Sequence, residues 1–447
     1  MISPFFFEVK MKIKNLPLDD NINGWSAILP ARVESNIYRG IQNSDWLVIG
    51  AGFAGLSFAR QIAENHPEQR VIILEAGQVG DNASGRNSGF VIDLPHNIGT
   101  STAELAKAAN YRKLLQAGIA DLEQIVTKNN IQCDWEKTGK YHCIVDPEKQ
   151  SVLSLYQSEL DALSENYTLL DRAQLTAKLG TSYYASGIYT PNCVLLNPAA
   201  LVNGLANHLP ENIELYEHSP AINIKWGHKI VVNTPYGEIN TKNIMVATNG
   251  CARNLPQFSA QLVALTTFAT LTQPLTAEQQ QRIGNIPAWG MTPANAIAGA
   301  TFRYTRDHRI LIRQHIKFAP DYTTKAIETA RVSAKHRELL LSRFPQLDDL
   351  EFAHTWSGMI SVTRNGAPGW GKFGDNTFAA VGCNGAGVSK QTIAGKTLAD
   401  LASGIDNPLI ADMQALEKPN YLPPRPLLDL GVNGFIQKER WFGRSEF

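Results

Sequence analysis

A polar lead-in gives way at Trp46-Leu47-Val48-Ile49 to four apolar residues in a row, which run straight into Gly50-Ala51-Gly52-Phe53-Ala54-Gly55. A short unbroken apolar run bounded by glycine predicts a strand buried on both faces. Leu56 to Asn65 follows with small or apolar residues at Ala59, Ile62 and Ala63, which is helical spacing. Val71-Ile72-Ile73-Leu74 is a second apolar run, closed by Glu75. The three pieces predict a strand–helix–strand unit of parallel type.

Helical patterns dominate residues 100–180, at Ala103–Ala109, Leu114–Val126 and Val152–Leu163. Asn197-Pro198 opens a further helix through Ala206, with Pro198 suited to its first turn. Strands are predicted at Ile222–Ile224, Ile230–Val232 and Ile244–Val246, with a turn at Tyr236-Gly237. Phe302–Ile316 alternates, with a break near Asp307-His308 that fits a hairpin. Thr377–Val381 is the last buried strand. The loop Gly382–Gly387 and a helix from about Ser389 to Leu401 follow it. Residues 1–44, with Pro17, Gly24 and Pro30, read as a polar extension draped over the surface. The tail, 406–447, is rich in proline and aromatics and has no clear period.

A chain of 447 residues is too long for one ordinary core and predicts two or three domains. Lys plus Arg and Asp plus Glu both number 41, so no basic excess exists to hold nucleic acid or an anionic membrane. Five scattered cysteines without a CxxC pair argue against a disulfide framework, a zinc site or a dithiol centre. The ten histidines show no HxxxH spacing, so no metal is expected. Met1–Phe7 is apolar but too short for a signal peptide or a membrane span, and no run of about 18 apolar residues occurs elsewhere. The expectation is a cytoplasmic protein without an integral membrane segment.

The chemistry starts at Gly50-x-Gly52-x-x-Gly55. The first glycine permits the tight turn off the strand. The second lets backbone approach a pyrophosphate, and the third lets helix and strand pack closely. The helix N-terminus then favours the diphosphate, while Glu75 stands where an acid accepts hydrogen bonds from ribose hydroxyls. This unit alone does not choose between NAD and FAD.

The choice comes from Gly80-Asp81-Asn82-Ala83-Ser84-Gly85-Arg86-Asn87-Ser88-Gly89, which resembles the segment after the second strand in the D-amino acid oxidase superfamily of flavoproteins. Three later segments fall in that family's order. Leu196–Leu201 resembles the return to the FAD domain, and Val246-Ala247-Thr248-Asn249-Gly250 resembles the strand end passing the adenosine. Trp356-x-Gly358, Thr363, Pro368, Gly369 and Gly382-Cys383-Asn384-Gly385-Ala386-Gly387-Val388 resemble the C-terminal signature. Within the family the pattern is nearest to gamma-glutamylputrescine, sarcosine and glycine oxidases.

The resemblance implies an α/β fold: a Rossmann-like FAD domain of glutathione-reductase type, interleaved with a mixed-sheet substrate domain. The FAD domain would comprise 45–100, 195–255 and 365–405, and the substrate domain 101–194 and 256–364. The tail would pack on the surface. The implied cofactor contacts are Gly50, Gly52, Phe53, Ala54, Gly55, Glu75 and Ala76; the loop Ser84, Gly85, Arg86, Asn87, Ser88 and Gly89; Ala221, Ala247, Thr248 and Gly250; Trp356 and Gly358; and Gly382, Asn384, Gly385, Ala386, Gly387 and Val388. In the loop, Arg86 and Ser84 suit phosphate oxygens and Asn87 a polar ring edge. The helix after the last glycine loop would turn its N-terminus to the flavin pyrimidine.

Some members attach flavin through a cysteine after Trp-x-Gly. Met359–Pro368 contains none here, so FAD is expected to be non-covalent. Ala386 stands where many members carry histidine. Lys390 is one residue out of register with a lysine that some members place above the flavin, and otherwise reads as a solvated helix lysine.

The implied reaction is oxidation of a C–N bond in a small amine or amino acid. Hydride passes to flavin N5, and the imine hydrolyses to an aldehyde or keto product plus amine or ammonia. Oxygen or an electron carrier would accept the electrons. No obligatory side-chain base is implied. Candidates beside the substrate are Tyr304 and Lys390, with Arg303, Arg306 and Arg364 to clamp an anionic tail through paired hydrogen bonds. The arginines equally fit an exposed strand or a pairing with Asp307. His96 and His315 are further candidates that also read as structural. Three alternatives stay open: a nicotinamide-dependent dehydrogenase, a D-amino acid dehydrogenase passing electrons to a carrier, and an FAD-binding assembly partner that docks through Pro423-Pro424-Arg425-Pro426.

Overall fold

The computed structural model describes residues 10–12, 23–32, 35–95, 102–227, 229–295 and 297–444. In chain order, the elements that build the site are β1 (Gly40–Ile49), α1 (Phe53–Asn65), β2 (Val71–Leu74), α2 (Thr102–Lys128), β3 (Ile213–Tyr216), β4 (Gly237–Val246), β5 (Val263–Thr272), β6 (Thr301–Tyr304), β7 (Ile310–Phe318), β8 (Phe352–Val362), β9 (Thr377–Val381), α3 (Gly387–Ser403) and α4 (Leu427–Phe442).

Two large sheets divide these strands. The first has a parallel core in the order β9, β4, β1, β2, β3. Strands Asn223–Lys225 and Ile230–Thr234 extend it as an antiparallel meander on the first half of β4, while β9 takes the second half. The apolar runs of β1 and β2 are buried on both faces, as unbroken apolar strands require. Helices α1, α2 and α3 cover one face through Phe58, Leu122 and Leu398 among others. Tyr38, Ile224 and Phe258 belong to the core on the other face. The second sheet runs β8, β5, β7, β6 and then Trp289–Pro293, Lys140–Ile144, Ser186–Thr190 and Thr168–Asp171. The first sheet thus gathers segments from both ends and the middle of the chain.

The hairpin expected across 302–316 is present as β6 and β7, turning at residues 305–309. Asn197 caps helix Pro198–Asn207 by accepting from the backbone of Ala199 and Ala200.

Three sequence-based expectations need correcting. Residues 23–32 are not a surface drape: Asn23 and Trp25 are buried, because Trp25 packs with Trp356, Ala199 and Leu311. Helix α2, grouped with the substrate domain from its position in the chain, packs through Leu114 and Leu122 into the core beneath the first sheet. The tail is largely helical. α4 buries Ile436 against Val263, Leu265 and Ile316, yet leaves Leu427, Leu430, Phe435, Trp441 and Phe442 exposed. Among the described residues no helix is long and apolar enough to cross a membrane, and no cluster of potential metal ligands occurs.

Candidate active site

A cleft opens along the C-terminal ends of β1, β2 and β4. Its floor is the turn from β1 into α1. Gly50 has φ of 103°, a left-handed geometry that favours glycine, and a Cβ there would stand 2.8 Å from the Ala247 carbonyl. A Cβ on Gly55 would collide with the Gly50 carbonyl, so helix and strand meet only because no side chain intervenes. Gly52 caps α1 without any side-chain hydrogen bond. The first N–H groups of a helix have no intrahelical partner, and here they face the cleft with the positive end of the helix dipole.

Glu75 closes β2 at the same edge. Its Oε2 accepts from the Ala51 N–H at 2.9 Å and its Oε1 from the Gly77 N–H at 3.2 Å. Burial nevertheless pushes the carboxyl above the usual range, because desolvation outweighs those backbone bonds. A half-buried acceptor, a helix start whose Phe53 N–H meets only the cleft-lining Ser84 hydroxyl, and glycine-lined walls fit the adenosine and diphosphate of a dinucleotide.

The structure brings Gly50, Gly52, Glu75, Ala76, Ser84, Ala221, Ala247, Thr248 and Gly250 together around this cleft. Phe53, Ala54 and Gly55 lie behind it in the packed first turn of α1. The last glycine loop hangs on the cleft wall: Asn249 accepts from the Cys383 N–H at 3.2 Å, and the Asn384 N–H donates to Ser361. Helix α3 starts from Ala386 with no side-chain cap, whereas at the start of α1 the Phe53 N–H donates to Ser84 Oγ at 3.3 Å.

Several predicted contacts have other tasks. Arg86 is buried and donates to the carbonyls of Asp81 and Ser357, so these bonds go to backbone rather than to phosphate. The Asn87 amide folds onto its own loop, donating to Ala83 and Ser84 and accepting from the Gly89 N–H. Asn384 accepts from the Thr363 N–H and donates to Gly366 and Gly382, which fixes the loop.

The substrate candidates change more. Arg303 is 1% exposed and donates to the carbonyls of Ser88, Gly89 and Leu196. All three bonds leave from Nη1, the buried Nε has no hydrogen-bond partner among the described residues, and desolvation lowers the Arg303 pKa to about 10. Tyr304, the next residue, faces the opposite side and packs in the core with Trp289, Phe302 and Phe344, its hydroxyl on His308. The core placement of Tyr304 argues against it as a substrate contact, while Arg303 stays on the face that meets the cofactor loop. Arg306 is exposed in the turn of the hairpin, and Arg364 is exposed beside the last glycine loop. Lys390 is not a solvated lysine: it is fully buried in α3, with Nζ 5.4 Å from the centre of the Tyr111 ring. Burial lowers the pKa of His315 to about 4, and His315 touches Phe268 and Arg440. His96 lies outside the described residues.

Two residues not anticipated belong to the region. Tyr322 lines the cleft and donates its hydroxyl to the Gly250 carbonyl. Arg313 of β7 pairs with Ala269 of β5 and Thr301 of β6, and Ala269 pairs with Trp356 of β8. Paired residues share a face, so Arg313 sits on the face whose Trp356 donates to the Arg86 carbonyl. Desolvation lowers its pKa to about 10. A sequence signal existed: an arginine directly after the apolar run Ile310-Leu311-Ile312, within the same strand.

With this geometry, the comparisons with known proteins assign the class. Residues 45–401 match the family model described as FAD dependent oxidoreductase, and the chain belongs to that family, which carries D-amino acid oxidase-type enzymes. The chain is similar to a probable oxidoreductase, OrdL, of Haemophilus influenzae: 26% identical over 409 residues, covering 89% of this chain and 91% of that one. It is also similar to gamma-glutamylputrescine oxidoreductase of Escherichia coli, 23% identical over 80% of this chain and 84% of that one. Among solved structures, glycine oxidase from Geobacillus kaustophilus superposes with a TM-score of 0.68 at 18% identity, covering 82% of this chain and 96% of that one. An L-amino acid deaminase from Proteus myxofaciens gives 0.69 at 15% identity, covering 90% and 97%. The protein is an FAD-dependent oxidoreductase, which removes the nicotinamide alternative.

Proposed function

We propose that this protein oxidises the C–N bond of a small primary or secondary amine or amino acid carrying an anionic tail, with FAD bound non-covalently. The observation that carries the tail is Arg313, a desolvated guanidinium on the sheet face turned toward the cofactor loop. Gamma-glutamylputrescine oxidoreductase and glycine oxidase support an amine as the oxidised group, since their names state amine substrates.

When bound, FAD supplies the acceptor for the hydride that leaves the carbon next to nitrogen. The protein's work is binding, orientation and exclusion of water. Gly50–Gly55 and Glu75 hold the adenosine end. Arg313 pairs with the substrate's anion in a low-dielectric setting, where a two-toothed guanidinium bond fixes orientation as well as affinity. Arg364, exposed next to Thr363, which bonds Asn384, is a second candidate cation for the tail. The imine product hydrolyses in water to a carbonyl compound and an amine or ammonia.

The test uses matched amines that differ only in the tail, carboxylate against amide, supplied with oxygen and separately with an artificial electron acceptor. Carbonyl product is trapped as its hydrazone. The proposal expects product from the carboxylate member and much less from the amide. Equal turnover of both removes the anionic tail, and product from 2-hydroxy acids alone removes the amine. Oxygen consumption against dye reduction separates oxidase from carrier-linked dehydrogenase.

A further inference from the structure

Three side chains from distant parts of the chain bond four consecutive carbonyls in the loop that begins at the cleft-lining Ser84. Trp356 donates its indole N–H to the Arg86 carbonyl at 3.1 Å. Trp25 donates to the Asn87 carbonyl at 2.8 Å. Arg303 reaches the Ser88 and Gly89 carbonyls at 3.4 and 3.2 Å. The three also hold one another: the Trp25 and Trp356 rings meet edge to face at 6.5 Å, and the Arg303 guanidinium lies 5.2 Å from the Trp25 ring centre.

A trans peptide unit is planar, with its C=O and the following N–H pointing in opposite directions. Fixing the carbonyl of Arg86 therefore turns the N–H of Asn87 away from the clamp, and fixing that of Asn87 does the same for Ser88. Among the described residues no acceptor meets either N–H. The Gly89 N–H is taken by the Asn87 side chain. A loop with bonded carbonyls and two open donors on half-buried residues is an anion- and carbonyl-binding surface.

We infer that Trp25 is a positioning residue for FAD, and that the buried segment around it is a working part of the cofactor site. The inference rests on FAD occupying the Gly50 cleft. Docking of the segment orients the Asn87 and Ser88 donors, and cofactor bound to those donors stabilises the docked segment in return. Asn23 anchors the segment by donating to the Gly80 carbonyl at 3.4 Å, while Arg32 pairs with the buried Glu217 at 2.9 Å.

Two measurements test this. Trp25→Phe keeps an aromatic ring but removes the donor, and Trp25→Ala removes both. FAD affinity is read from the fluorescence of released flavin. Coupled binding equilibria of this kind predict a dissociation constant raised by about fivefold or more in Trp25→Phe, and further in Trp25→Ala. Because coupling is reciprocal, removing FAD from the wild-type protein must speed deuterium exchange at Ser26, Ala27 and Leu29 as well as at Asn87 and Ser88. That arm needs no variant and stands if Trp25→Ala fails to fold. Unchanged affinity in Trp25→Phe, or exchange at residues 26–29 that ignores FAD, overturns the inference. Glu75→Gln run in parallel separates the two readings. If it weakens FAD while Trp25→Phe does not, the clamp fails and the cleft stands. If neither weakens FAD, both fall.

Discussion

Glu75→Gln is the substitution that isolates the cofactor reading of the cleft, because shape is kept and only charge and one acceptor are lost. Both carboxylate oxygens accept a backbone N–H, from Ala51 and Gly77. Glutamine can satisfy one of them and turns its NH₂ toward the other. Taken alone, that loss would destabilise the turn. The raised pKa of Glu75 says that burial already disfavours the charge in the protein without ligand, so removing the charge acts in the opposite direction. The two effects oppose, and the apoprotein melting temperature should fall less than the lost acceptor alone would predict. With FAD the balance differs, since a ribose hydroxyl bonded to a charged acceptor contributes about 1.5–3 kcal/mol. Its loss predicts a dissociation constant roughly 10- to 150-fold higher. The assay is titration of apoprotein with FAD by flavin fluorescence, alongside thermal melts with and without cofactor. Wild-type affinity in a folded Glu75→Gln protein would refute the reasoning. Affinity should also fall on acidification, because the protonated carboxyl cannot accept both backbone bonds, and the raised pKa starts that loss above the usual carboxylate range.

Other predictions follow from single sites. Arg313→Met should lower kcat/KM for the anionic-tailed amine about 10- to 100-fold, the worth of a charge-assisted pair, and leave the matched neutral amine nearly unchanged; steady-state kinetics on both substrates decide. Gly55→Ala places a Cβ against the Gly50 carbonyl, so the purified protein should be colourless or lose flavin on gel filtration. Acid precipitation should release all flavin from the wild type, because burial pushes the cleft thiol of Cys251 up to about 12, far from its nucleophilic form; yellow colour retained in the pellet contradicts that. His336 is buried against the Thr270 hydroxyl, with its pKa lowered from 6.5 to about 3. The unfolded chain binds its proton first, so stability is present above about 6.5 and falls by about 1.4 kcal/mol per pH unit on acidification toward the folded pKa. Denaturant melts of His336→Gln should show a flatter acid limb than wild type.

Legibility in the sequence followed from how local each signal is. The β1–α1–β2 unit was readable because unbroken apolar runs, fingerprint glycines and a terminal acid all act within about 30 residues, the span of a strand–helix–strand unit. The β6–β7 hairpin showed itself by alternation with a polar break. The burial of Trp25 was hidden, since it depends on Trp356 and Arg303, far along the chain. The roles of Arg303, Tyr304 and Arg313 turn on which face of the sheet each occupies, and that parity is set by pairing with β5 and β8. Lys390 lies in a turn of α3 where Val388 to Ala394 are all buried, so no polar face existed from which to read its exposure. α4 carries Gly431 and Gly434 inside it and an apolar outer face, which obscures the usual one-sided helical pattern.

The most direct measurement of the proposed chemistry is an anaerobic titration of the purified yellow protein with amines, followed by flavin absorbance near its visible maximum. The account predicts bleaching by a small amine with an anionic tail, one equivalent per flavin, with a carbonyl product recovered in equal amount. A flavin that stays oxidised with every amine, or is bleached only by a hydroxy acid, contradicts it.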